Sequence, residues 1–100
     1  MSAKFSLEQF LKWAETLSDR GIAGTEIEIS STENDNGAWV NFFSGNTYGH
    51  IMVWPTGEIE YLVEDATDPD CRLFRYEETI ELSEVPDFAQ PILQIFCRPA

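Results

Sequence analysis

Apolar residues recur at three-and-four spacing early in the chain and at every second position through its middle. Leu7, Phe10, Leu11, Ala14 and Leu17 form the first pattern, one stripe along a helix. Ser6-Leu7-Glu8-Gln9 reads as a capping box before it, with Ser6 at the N-cap and Gln9 at N3. Gly21 supplies a stop, with Arg20 in the last turn. The pattern predicts a helix over 6–20.

From Thr25 to Thr32 acids alternate with β-branched residues, which predicts a strand with Ile27 and Ile29 inward. Asn34-Asp35-Asn36-Gly37 reads as a four-residue turn. Ala38–Ser44 and Thr47–Trp54 read as two strands joined by the two-residue loop Gly45-Asn46. Pro55-Thr56-Gly57 leads to a further strand, Glu58–Asp65. These loop lengths fix a register. Val40 faces Ile51, Phe42 faces Gly49, Val53 faces Ile59, Ile51 faces Tyr61, and the four-residue turn sets Ile29 against Phe42. Every such pair is apolar or glycine, so independent turns agree on one core face: Ile27, Ile29, Val40, Phe42, Ile51, Val53, Ile59, Tyr61 and Val63.

Thr67-Asp68-Pro69-Asp70 reads as a turn, and Arg72–Tyr76 as an extended stretch able to add a fifth strand. Ser83-Glu84-Val85-Pro86-Asp87 resembles a helix start, continued by Phe88, Ile92, Ile95 and Phe96. Pro91 either sits in a first turn, where its missing N–H does no harm, or kinks the helix. The predicted class is α+β: a two-layer sandwich with an antiparallel meander of four to five strands and an N-terminal and a C-terminal helix on one face. The 100 residues suffice for one domain with one core.

The same register turns a different set outward. Trp39, Asn41, Phe43, Tyr48, His50, Met52 and Trp54 share that face with Glu26, Glu28, Glu58, Glu60, Leu62 and Glu64. A solvated sheet face should be polar. Rings and a methionine fringed by acids describe an interface, because Trp and Tyr dominate binding hot spots. The alternative is that the C-terminal segment folds over this face and hides Trp39, Phe43 or Met52 as core. For the glutamates the alternative is an edge kept from aggregating.

Charge sharpens the picture. Eighteen acids against six bases give −12, split as −4 over residues 1–50 and −8 over residues 51–100. Such a field repels nucleic acid and anionic membrane and attracts cationic surfaces; the plainer reading is that it keeps the protein soluble. A second acidic run, Glu64-Asp65-Ala66-Thr67-Asp68-Pro69-Asp70, suits a basic partner, with Asp65, Asp68 and Asp70 as candidate contacts. It fails as a calcium loop, since position six from Asp65 is not glycine and Tyr76 stands at position twelve. Glu77, Glu78, Glu81, Glu84 and Asp87 precede or open the last helix, where negative charge is favoured.

Catalytic options are narrow. Cys71 and Cys97 form no C-x-x-C or zinc spacing, and His50 is the single histidine. A pairing of either cysteine with His50 is left open by the sequence. No nucleophile elbow, phosphate loop or dinucleotide fingerprint occurs. No apolar run nears the ~18 residues of a membrane span, and no signal core follows Met1, so a cytoplasmic protein is expected. No metal and no cofactor is expected.

The segment Gly49-His50-Ile51-Met52-Val53-Trp54-Pro55-Thr56-Gly57-Glu58-Ile59-Glu60-Tyr61-Leu62-Val63-Glu64-Asp65, with the helix before it and the acidic tail after it, resembles bacterial immunity proteins of the TriTu type. These belong to contact-dependent and related polymorphic toxin systems. The likeness covers most of the chain in order of elements. Its specific part is the Gly-x-Ile-x-Val-Trp-x-x-Gly hairpin at 49–57. The resemblance implies an inhibitor that binds a cognate toxin domain and is not an enzyme. Many such toxins are nucleases with basic clefts, and the family suggests one acting on transfer RNA with elongation factor Tu. The toxin-facing residues expected from the register are Tyr48, His50, Met52, Trp54, Glu58, Glu60 and Glu64, with the acidic run beyond them. The competing reading is an acidic adaptor or nucleic-acid mimic that binds a housekeeping protein.

Overall fold

The computed structural model describes residues 6–31 and 37–98, with only the backbone of Pro69 and Cys71. Helix α1 spans Leu7–Ser18, and five strands follow: β1 Thr25–Ser31, β2 Ala38–Ser44, β3 Thr47–Val53, β4 Ile59–Asp65 and β5 Asp68–Glu77. A 3₁₀ turn at Leu82–Glu84 leads into α2 Val85–Phe88 and α3 Gln90–Phe96. The strands form one antiparallel meander in the order β1-β2-β3-β4-β5, with the helices packed on one side. This is the α+β sandwich expected, with the fifth strand present.

The helix starts as its sequence dictates: the Ser6 hydroxyl accepts from the Gln9 N–H at 3.2 Å. Its end differs from expectation. α1 stops at Ser18, with the Arg20 N–H closing on the Leu17 carbonyl at 2.9 Å, so Arg20 lies beyond the last turn. Gly21 is no left-handed stop; it bridges to Cys97. The positive φ falls instead on Gly24, in the turn that enters β1.

Phe10, Ala14 and Leu17 of α1 are buried against the sheet, together with Ile92, Leu93 and Phe96 of α3. Beneath them lie Val40, Phe42, Ile51, Val53, Ile59, Tyr61 and Val63, all buried, with Ile27 and Ile29 half-buried at the edge. Phe96 stacks on Phe42 at 5.1 Å between ring centroids and reaches over Gly49, the register partner of Phe42. Tyr61 meets Phe88 at 5.1 Å. Burying one such side chain stabilises by about 1.5–3 kcal/mol. An exposed ion pair contributes under about 1 kcal/mol. The inner face therefore holds the fold, and the outer face is left free for other work.

Three local expectations are corrected. Ile29 pairs with Val40 and Ile27 with Phe42, so the β1–β2 register is displaced by two residues from the one a four-residue turn would set. A shift of two preserves side-chain parity, which is why both isoleucines still face inward. The expected turn at Asn34-Asp35-Asn36-Gly37 lies, apart from Gly37, outside the described residues. The turn expected at Thr67–Asp70 is Ala66-Thr67, and β5 already begins at Asp68. The C-terminal helix is two short segments parted at Ala89, with Pro91 in the first turn of the second. Among the described residues no helix is long and apolar enough to cross a membrane.

Candidate binding face

Every second residue of the meander points away from the helices, and the register arranges these residues in three rows across the sheet. The first runs Glu26, Phe43, Tyr48, Glu64, Arg72. The second runs Glu28, Asn41, His50, Leu62, Phe74. The third runs Ser30, Trp39, Met52, Glu60, Tyr76. Trp54 follows the end of β3, where its N–H donates to the Glu58 carbonyl at 2.9 Å. Among the described residues no helix covers this face: α2 and α3 put Val85, Phe88, Ile92, Leu93 and Phe96 into the inner core. Trp39, His50, Met52 and Trp54 are half-buried, while Phe43 and Phe74 are exposed, Phe74 by 56%. The described part of the C-terminal segment, through residue 98, does not hide Trp39, Phe43 or Met52.

A chain of polar contacts fixes the middle of the face. The Tyr48 hydroxyl lies 3.2 Å from Asn41 Oδ1 and 3.2 Å from His50 Nδ1. His50 Nε2 lies 3.0 Å from Glu60 Oε2. An ionised carboxylate only accepts, so Nε2 carries the proton of that bond. The Tyr48 hydroxyl donates its one proton to Asn41 Oδ1 and stands beside His50 Nδ1. The chain crosses β2, β3 and β4 and sets the Tyr48 ring against Phe43 at 5.3 Å. Burial, and then the charge of Glu64, push the Tyr48 phenol above its ordinary pKa and keep it a neutral donor. Rings held in this way lose little freedom on docking.

Acids frame the rings. Glu58 Oε2 accepts from the Tyr76 hydroxyl at 2.6 Å and Oε1 from Thr56 at 3.0 Å, and these bonds hold its carboxyl below the ordinary range. The same bond to Glu58 pushes the Tyr76 phenol up to about 12. Glu64 faces Arg72 at 3.5 Å. At this corner Asn46, Tyr48, Glu64, Asp65, Asp68 and Arg72 line an open cleft of about 420 Å³.

The acidic run is a hairpin end and not a free loop. Asp65 Oδ1 takes both the Thr67 N–H at 2.8 Å and the Thr67 hydroxyl at 2.6 Å, which lowers its pKa. Asp68 Oδ1 takes the Asp70 N–H at 3.1 Å. Asp65 is thus engaged in closing the turn, whereas Asp68, which lines the cleft, and Asp70 stay exposed. Among the described residues no three His, Cys, Asp or Glu side chains gather as a metal site. Cys97 is buried in the inner layer and His50 belongs to the outer face, so these two do not form a pair.

The structure brings Tyr48, His50, Met52, Trp54, Glu58, Glu60 and Glu64 onto one surface, as the register implied. It adds Arg72, Phe74 and Tyr76 of β5, which sequence reasoning missed. A comparison with known protein families, with curated proteins and with solved structures finds no match to this chain.

Proposed function

We propose that this protein is an immunity protein: it binds a cognate basic toxin domain through the outer sheet face and neutralises it by occlusion. The observation that carries this reading is a preorganised aromatic sheet face, uncovered by any helix among the described residues and ringed by carboxylates, on a chain of charge −12. Opposite fields draw a cationic partner in, at rates up to about 10⁸–10⁹ M⁻¹s⁻¹ at low salt. Rings such as Trp39, Trp54 and Tyr76 then slow its release. A nuclease-type toxin suits the surface, because a cleft built for phosphates also accepts carboxylates. The likeness of the 49–65 segment to TriTu-type immunity proteins supports the same reading, in which the protein works by binding, without a cofactor, in the cytoplasm.

The test is to mix the protein with the basic toxin domain encoded beside it. A one-to-one complex and loss of toxin activity are expected. Unchanged toxin activity would end the proposal, and recovery of a housekeeping protein in place of a toxin would favour the adaptor reading. Cys97→Ala should leave neutralisation intact, which an enzyme built on that thiol would not.

A further inference from the structure

The two edges of the sheet are treated differently. Edge strand β1 turns exposed Glu26 and Glu28 to solvent, a common guard against unwanted pairing. Edge strand β5 is ten residues long and carries Leu73, Phe74 and Tyr76, three of the six large exposed apolar side chains among the described residues. Leu73 lies on the helix side, and Phe74 and Tyr76 on the outer side. The two arginines that could guard this edge are drawn back onto the chain itself. Arg72 pairs with Glu64, while Arg75 pairs with Glu77 at 3.1 Å and lies 4.9 Å over the Phe88 ring. Half the main-chain N–H and C=O groups of an edge strand point outward, ready to template another strand.

A cleft flanks β5 on each side. The outer one, bounded by Arg72, holds Glu64, Asp65 and Asp68. The inner one, of about 310 Å³, is bounded by Arg75 and holds Glu77, Glu84 and Asp87. Arg72 and Arg75 stand three residues apart, so they face opposite sides of the sheet. An added strand presents its own residues to both sides with that same spacing. Both clefts are rich in carboxylates, which selects a cationic strand. A second copy of this chain would set −12 against −12 across the same acids.

We propose that a strand of the cationic partner adds to the free edge of β5 and lays arginine or lysine side chains into the two clefts. This rests on the proposed basic partner and names how part of it docks: main-chain pairing gives affinity, and the clefts choose the alternate side chains.

The probe is a synthetic peptide of valine and threonine with arginines three residues apart, and a twin methylated on alternate backbone nitrogens. Each is titrated into the 100-residue chain while amide hydrogen exchange is followed. The parent peptide should slow exchange within β5 by about tenfold or more, and the twin should bind about tenfold more weakly, because it keeps the charge and loses the pairing. Equal binding of both peptides, with β5 exchange unchanged, overturns the added strand and leaves the attraction for cations standing. Binding of neither contradicts both. Protection of β5 in the protein alone, with a dimer mass in sedimentation, overturns the proposal in favour of a second copy.

Discussion

Phe96 lies so close over Gly49 that a Cβ on that glycine would sit 2.6 Å from the Phe96 Cε2 atom and 3.1 Å from Ile92 Cδ1. The hairpin glycine is therefore a packing residue: it makes the floor on which the last helix rests. Gly49→Ala is expected to destabilise the fold by about 1–3 kcal/mol through overpacking. Urea unfolding measures this. Phe96→Leu should cost less in the Gly49→Ala background than in the parent, since the two residues share one space.

The Tyr76–Glu58 bond gives the fold a dependence on alkaline pH. The folded Tyr76 phenol titrates at about 12, above its ordinary 10.0, so folding favours the protonated form. The resulting stability is fully present below pH 10.0 and is lost as pH rises through about 12. Tyrosinate absorbance should therefore show, besides the raised Tyr48, a step near pH 12, and Tyr76→Phe should remove that step. The same substitution should let the Glu58 carboxyl return toward its ordinary value, which side-chain NMR reads.

Acid acts through the hairpin turn. Asp65 titrates below its ordinary 3.8 because Thr67 donates to it twice. Its contribution is present above 3.8 and is lost as pH falls through the lower folded value. Asp65→Asn should flatten this acid limb of the stability profile, with the change largest near neutral pH and vanishing in strong acid.

The outer face is expected to separate binding from folding. Glu60→Lys and Glu64→Lys should slow association with a basic partner by about tenfold at low salt and by less at high salt. Trp39→Ala should speed dissociation, at a cost of about 2 kcal/mol or more in affinity if it is an anchor. Glu64→Lys should leave thermal stability nearly unchanged, because this carboxylate is exposed outside the core, whereas Glu60→Lys also removes the acceptor of the His50 bond and should lower it slightly.

The period-two pattern made both faces of β2, β3 and β4 legible in the sequence, and the short loops at Gly45-Asn46 and Pro55–Gly57 fixed their register. β1 tolerated a register error because a slip of two keeps parity. β5 was not legible in this way. Glu64 pairs with Arg72 and Asp65 with Asp68, which leaves residues 69–71 outside the ladder. That irregularity changes which residues of β5 point outward, and the density of aspartate and proline before it reads as a turn. Phe74 and Tyr76 were consequently missed, although Arg72-Leu73-Phe74-Arg75-Tyr76 already carried the signal of a strand. The early end of α1 was missed for a different reason: Gly21 is held in place by a bridge to Cys97, a contact far along the chain.

The central claim is that the outer sheet face seats the toxin, and hydroxyl-radical footprinting of the complex tests it most directly. With the proposed basic toxin domain as partner, labelling of Trp39, Met52, Trp54, Phe74 and Tyr76 should fall on binding, while the exposed Ile22 and Ile95 stay as reactive as in the free protein. Shielding of Ile22 and Ile95, with the five outer-face residues labelled as before, would contradict the account.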